Sequence, residues 1–520
     1  MDERPQKRRR VSDSEGHDTQ EASSHKTFTR AVSPPGGNVQ TESTAAPRIV
    51  PSPFQLTWIR DLSEASNVDA VTLNDILGDP LIAECWDFNY LHDLDFLMDA
   101  FDPDVRTIVK VHVVHGFWKT EDQSRQVLKL QAAKYGNIEL HTAFMPEMFG
   151  THHSKMLILI RHDNTAQVVI HTANMIPFDW TNMTQAIWRS PLLPKDLASS
   201  LSGNASGVGS KFKKDLLNYL KAYNRKRTIC KSLIDELSQY DFSEVRAALV
   251  ASVPGRQKIE TESATSWGWV GLRDALLSVP VQSDRPEIIL QISSIATLGV
   301  NDKWLDKTLF KALSNSKDKM AVKPKYRIVF PTTSEVRRSL NGYQSGSAIH
   351  TKIQSAAQVK QLTYLKPLFT HWAGDNADNQ SGSSSDVREA GRRRAAPHIK
   401  TYIRFTDHSQ TSIDWMLMTS ANLSKQAWGE AVNSGGEVRI CSYEIGVMVW
   451  PELYGEGAKI VPAFKKDLPA EELVVDEKTV VGARMPYDLP LIPYGKDDLP
   501  WCATASYDET DWMGQTWKTA

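Results

Sequence analysis

The sequence predicts an α/β fold built from two similar α-β-α sandwich halves, with one active site at their interface. Three observations lead there. Apolar strand-like runs alternate with helical stretches along most of the 520 residues, the pattern of layered sheets and helices. One short pattern, His-x-Lys, stands at the head of a strand-like run in each half, as His153-Ser154-Lys155 and His398-Ile399-Lys400. Each copy is followed some twenty residues later by an Asn, Asn174 in "HTAN" and Asn422 in "TSAN". A single copy is readily chance, whereas two matched copies suggest a duplicated half-site.

In chain order, residues 1–52 are polar, rich in Ser, Thr, Pro and charge, and too poor in large apolar residues to form a core; disorder is expected there. Within this tail, Lys7-Arg8-Arg9-Arg10 has the form of a nuclear localisation patch. Folded sequence starts near Pro53–Trp58. Strand runs "TIVKVHVVHG", "KMLILI" and "QVVIHT" then alternate with helical "SRQVLKLQAAKYG" and "KKDLLNYLKAYN". A break at Val253-Pro254-Gly255 divides a first domain, 53–253, from a second, 254–520. The second half repeats the strand pattern with "EIILQIS", "YRIVFP", "IKTYIRF", "DWMLMTS" and "YEIGVMVW". The low-complexity stretch Gly374–Arg394 is expected to be a flexible surface insert, with Arg392-Arg393-Arg394 solvated or near DNA phosphate.

Bulk composition narrows the function classes. The net charge of −2 is not that of a nucleic-acid coat protein. DNA binding would rest on local patches such as Lys211-Phe212-Lys213-Lys214 and Arg225-Lys226-Arg227. The four cysteines, Cys85, Cys230, Cys441 and Cys502, are scattered without a CxxC, which favours free thiols and argues against a zinc finger. With no long apolar run, a membrane enzyme is disfavoured.

The residue types point to phosphodiester chemistry. Strand periodicity projects His153 with Lys155, and His398 with Lys400, to common faces. One imidazole can attack phosphorus, the other can protonate the leaving oxygen, and two lysines with two Asn amides can hold the non-bridging oxygens. The lysines supply the positive charge, so neither metal nor cofactor is expected. His152 and His153 face opposite ways and are not expected to share an ion.

With these motifs in place, the fuller segments "FGTHHSKMLILI", "VVIHTANMI", "DWTNMTQAIWRSPL", "PHIKTYIRF", "SIDWMLMTSANLSKQAWG" and "RICSYEIGV" resemble the tyrosyl-DNA phosphodiesterase family of the phospholipase D superfamily. The wider superfamily carries an Asp five residues after the motif Lys. Here those positions are Ile160 and Phe405, which favours the narrower family.

The resemblance implies a phospholipase D-like duplicated fold and a DNA-repair hydrolase. His153 would attack a 3′-phosphate joined to a tyrosine, His398 would protonate the leaving group, and a phospho-histidine would be hydrolysed to a 3′-phosphate. It implies that Glu444 supports His153 and Gln185 supports His398, each fixing a tautomer. Tyr90 would lie on the peptide side and Phe149 would stack on a base. Ser293, Ser294, Ser424 and Lys425 would contact DNA phosphates. It further implies single- and double-stranded DNA with blocked 3′ ends as substrate, a topoisomerase I-derived peptide, a monomer, no membrane, and a nuclear location. The family's second C-terminal Trp is Ala503 here, with Trp512 and Trp517 as candidate substitutes.

Overall fold

A computed structural model describes residues 47–196, 207–259, 265–282, 285–318, 322–374, 387–474 and 478–518. The basic patch at 7–10, most of the expected disordered tail, and 375–386 of the expected insert lie outside the described residues. Two mixed sheets form the framework. The first runs Phe54–Leu56, Ala186–Arg189, Thr165–His171, Met156–Arg161, Ile82–Phe88, Lys110–His115, Ile138–Thr142. The second contains Glu444–Val449, Ile413–Thr419, Thr401–Phe405, Glu287–Gln291, Lys325–Val329 and Phe369–Thr370 as consecutive neighbours.

The two orders are the same topology. In each half a strand (Ile82–Phe88; Glu287–Gln291) has two parallel strands on one side, reached by crossovers. On its other side three strands follow in antiparallel succession. The His-x-Lys triplets immediately precede matching strands, Met156–Arg161 and Thr401–Phe405, and the two Asn residues follow matching strands, Thr165–His171 and Ile413–Thr419. The central strands are buried on both faces, so they read as nearly continuous apolar runs.

The structure differs from expectation at three places. Arg48–Val50, inside the segment expected to be disordered, pairs in parallel with Thr479–Arg484 of the second sheet. Ala248–Ser252 also joins the second sheet, pairing with Glu444–Val449, so the change of sheet falls ahead of the Pro-Gly break. Arg392, placed by its composition in a solvated insert, is fully buried within hydrogen-bond reach of Asn67. Its neighbour Arg393 pairs with Asp488 at 2.5 Å. A run of arginines is charged surface only when no buried polar partners await it.

The basic stretch 211–214 is partly tied into the fold, with Lys211 and Lys214 exposed. It lies in the Val208–Tyr223 helix, where Phe212 is core, Lys211 pairs with Asp215 at 2.6 Å, and Lys213 donates to the carbonyls of Ser238 and Tyr240. All four cysteines are buried and free of disulfides. Among the described residues no helix is long and apolar enough to cross a membrane.

Candidate active site

Alternation along the first triplet separates anchoring residues from site residues. His152 and Ser154 point into the core. His152 spans the carbonyl of Asn89 at 2.9 Å and the Tyr223 hydroxyl at 3.0 Å, and Ser154 meets the hydroxyls of Tyr219 and Tyr223 at 2.5 and 3.2 Å. Both His152 nitrogens are thereby occupied, which leaves no pair of adjacent imidazoles for an ion. His153 and Lys155 project to the other side, with the Tyr90 ring 5.7 Å from the His153 ring and 5.9 Å from the Lys155 ammonium.

The halves are stitched together at this point by symmetric backbone bonds. His153 N–H donates to the Tyr443 carbonyl at 3.0 Å, and His398 N–H donates to the Thr184 carbonyl at 3.0 Å. The residues that follow those carbonyls are Glu444, which opens the strand Glu444–Val449, and Gln185, which immediately precedes the matching strand Ala186–Arg189. Glu444 Oε2 lies 2.9 Å from His153 Nδ1, and Gln185 Nε2 lies 3.0 Å from His398 Nδ1. Each half therefore positions the other half's histidine.

The carboxylate on His153 has a definite consequence. Glu444 accepts the Nδ1 proton and leaves the Nε2 lone pair free. Ser420 donates to the same Oε2 at 2.6 Å, so the carboxylate is held from two sides. At His398 an amide cannot do this work alone, because Gln185 Nε2 is a donor and Gln185 Oε1 accepts from the Thr172 hydroxyl at 2.8 Å. Asp179 supplies the missing acceptor: its Oδ2 lies 3.1 Å from His398 Nδ1 and also accepts from Asn174 N–H at 2.6 Å. The short Pro177–Thr181 helix, opened by its proline, holds Asp179 in place.

Both lysines are fully buried. Lys155 donates to the His153 carbonyl at 3.2 Å, and Lys400 donates to the His398 carbonyl. Burial pushes Lys155 down to about 8, against the pull of Glu444, Asp179 and Asp87, and burial with the facing Lys155 takes Lys400 well below its ordinary range. Burial also lowers His153, with Glu444 opposing, and burial plus Lys400 takes His398 down to about 3, with Asp179 opposing. A phosphodiester placed among these buried ammonium and imidazole groups would raise all four, because an added negative charge favours each protonated form.

The two Asn amides differ in their surroundings. Asn422 Oδ1 accepts from the backbone N–H groups of Ser293 and Ser294 at 3.0 and 2.9 Å, which leaves its amide nitrogen as donor. Asn174 is buried, and its Oδ1 has no hydrogen-bond partner.

The sequence model of the tyrosyl-DNA phosphodiesterase family matches residues 53–495. The chain belongs to the tyrosyl-DNA phosphodiesterase family. It is 31% identical to the "Probable tyrosyl-DNA phosphodiesterase" of Schizosaccharomyces pombe, over 90% of this chain and 96% of that protein. It is 30% identical to tyrosyl-DNA phosphodiesterase 1 of Arabidopsis thaliana, over 90% of this chain and 77% of that protein. Among solved structures, the yeast tyrosyl-DNA phosphodiesterase superposes with a TM-score of 0.61 at 22% identity, covering 87% of this chain and 99% of that one. That match shares the duplicated α/β fold.

As a tyrosyl-DNA phosphodiesterase family member, the chain presents its other predicted contacts unevenly. Phe149 is 73% exposed beside exposed Met148, available for stacking. Ser294 lines a cavity of about 230 Å³ with His350 and Lys352, whereas the Ser293 hydroxyl faces Asn422 at 3.3 Å. Ser424 caps the Lys425–Trp428 helix, accepting from Gln426 and Ala427, and Lys425 reaches toward the Trp304 ring. Trp501 is buried, donating to Gly346 and Ile349. Trp517 packs edge-on against it at 5.2 Å and donates to the Ala503 carbonyl, while Trp512 stays mostly exposed. Asp179 is the site residue that the sequence reasoning missed. The signal was present in the motif "NMIPFDW", but the matching position after Asn422 is Ala427, so comparing the two copies could not reveal it.

Proposed function

We propose that this chain is a tyrosyl-DNA phosphodiesterase: a DNA-repair hydrolase that cleaves the bond between a DNA 3′-phosphate and a tyrosine or another 3′ adduct, through a covalent phospho-histidine. The observation that carries the reading is the pair of carboxylate-held histidines beside two buried lysines. His153 Nε2, its Nδ1 proton committed to Glu444, attacks phosphorus. The P–O bond to the tyrosine oxygen breaks, and His398, protonated in the presence of the bound anion and held by Asp179, donates its proton to that oxygen. His398, now neutral, takes a proton from water. The resulting hydroxide attacks phosphorus, the P–N bond to His153 breaks, and DNA with a 3′-phosphate leaves. Lys155, Lys400, Asn174 and Asn422 hold the non-bridging oxygens in both steps, and the lysine charge takes the place of a metal.

Tyr90, against both His153 and Lys155, is suited to the wall where the leaving tyrosine or peptide sits. Exposed Phe149 suits a base; stacking of that kind is worth ~1–3 kcal/mol per base. Ser293, Ser294, Ser424 and Lys425 cluster around Asn422 and mark the path of the DNA backbone. A topoisomerase I-derived peptide on single- or double-stranded DNA, handled by a monomer in the nucleus, is the setting that suits these features.

The test is incubation of the full chain with a single-stranded oligonucleotide bearing a 3′-phosphotyrosine, in EDTA. Conversion to the 3′-phosphate, abolished by His153→Ala, is the expected result. Intact oligonucleotide bound tightly without conversion would replace the enzyme with a DNA-end scaffold, and conversion only after adding a divalent metal would overturn the lysine-based mechanism.

A further inference from the structure

The two outermost parallel strands of the first sheet carry a second cluster, away from the phosphodiester site. In register, Trp86 on Ile82–Phe88 pairs with His112 on Lys110–His115, and His112 pairs with Glu139 on the edge strand Ile138–Thr142. Period 2 puts Glu84, Trp86, His112, Glu139 and His141 on one face. His112 Nδ1 and His141 Nε2 stand 3.1 Å apart; Glu139 oxygens lie 3.5 Å from the first and 3.7 Å from the second. Two imidazole nitrogens and a carboxylate oxygen sharing a tetrahedral ion at its usual bond lengths stand about 3.3 Å from one another.

The surroundings match a ligand set. The indole of Trp86 lies parallel to both imidazoles, within 12° and at centroid distances of 4.0 and 5.4 Å, which fixes their planes. The second nitrogen of His112 is 3.6 Å from Glu84 Oε1, and Glu84 is itself held by the Trp86 N–H at 2.6 Å. A carboxylate behind a histidine is the usual outer partner of a metal-bound imidazole. Glu139 is two-thirds exposed, so it can adjust to an ion and leaves a fourth position open to water.

We infer that His112, His141 and Glu139 form a binding site for a divalent transition metal ion of zinc's class, with Glu84 orienting His112. Such an ion adds a side-chain cross-link between Lys110–His115 and the edge strand Ile138–Thr142, which the backbone ladder already pairs. The chain leaving the first of these strands passes Gly116, where a β-carbon would lie 2.5 Å from that of His152. The chain leaving the second runs through 143–150 to His152 and His153. The ion therefore stiffens the two segments that flank the His153 triplet without touching the reacting atoms.

The test is calorimetric titration of the chelator-stripped full chain with Zn²⁺ alone, alongside thermal melting with and without Zn²⁺. The expected result is one ion per chain and a melting point raised by Zn²⁺. His141→Ala should lose both effects, and Glu84→Gln should weaken binding about 10–100-fold. Glu139→Gln, a surface change that should leave the zinc-free melting point unaltered, should also weaken binding. Absence of stoichiometric binding by the folded wild type, or binding equally tight in His141→Ala and Glu139→Gln, would overturn the site and leave His112 and His141 as a proton-sharing pair.

Discussion

Gln185 immediately precedes and Glu444 opens matching strands of the two halves, and each reaches across to the histidine of the opposite half, at 3.0 and 2.9 Å. They differ in charge: Glu444 can accept the imidazole proton as an anion, whereas the Gln185 amide is neutral. Asp179, with no counterpart in the second half, restores the balance at His398.

Asp179→Asn should therefore lower kcat by about 10²–10⁴ with little change in KM, because it removes the group that sets the productive tautomer. Gln185→Ala should cost a smaller factor. Steady-state kinetics on a 3′-phosphotyrosyl oligonucleotide decides between them, and a reversed order of severity would return the principal role to Gln185.

In the proposed mechanism, His398→Arg retains the nucleophile and impairs the base that activates water. A covalent protein–DNA species should build up during turnover and be visible as a shifted band on a denaturing gel. Failure to trap any such species in this variant, while cleavage continues, would mean that the two histidines exchange roles.

The pH profile follows from the lysines. Lys155 sits near 8 and Lys400 is also depressed, so the free site loses positive charge on the alkaline side earlier than ordinary lysines would. kcat/KM should fall with rising pH, with a limb no higher than about 8. The limb in kcat should lie higher, because bound phosphate stabilises the ammonium groups. In Lys155→Arg, whose guanidinium keeps its charge, the part of the limb due to Lys155 should vanish. A flat profile to pH 10 would remove the lysines from the titration.

Stability should decline in acid. His115, His152 and His171 are each taken down to about 3 by burial. Between the ordinary histidine range and pH 3 the unfolded chain binds protons that the folded chain refuses, so each such group costs about 1.4 kcal/mol per pH unit as pH falls below ~6.5. Urea unfolding at pH 7 and pH 5 measures this, and His152→Gln should flatten the dependence. Equal midpoints at both pH values would show that these imidazoles protonate in place.

Much of the site was legible because duplication writes it twice. His153, Lys155 and Asn174 find their counterparts at His398, Lys400 and Asn422, and the strand alternation that aims them is local. What escaped was non-local. Ala248–Ser252 precedes the Pro-Gly break, yet its partner strand lies almost two hundred residues further on, at Glu444–Val449. Arg392 looks like a solvated charge until the loop at Asn67 is seen to receive it.

The pairing of Arg48–Val50 with Thr479–Arg484 has a consequence for how the protein is made. Synthesis is directional, and early segments ordinarily fold while later ones are still being added. Here Arg48–Val50 must wait for a partner more than four hundred residues further on, and His153 has no carboxylate beside it until Glu444 has cleared the ribosome. The His153 imidazole is thus made long before the carboxylate that fixes its tautomer, so this two-sided site can assemble only after both halves have been synthesised.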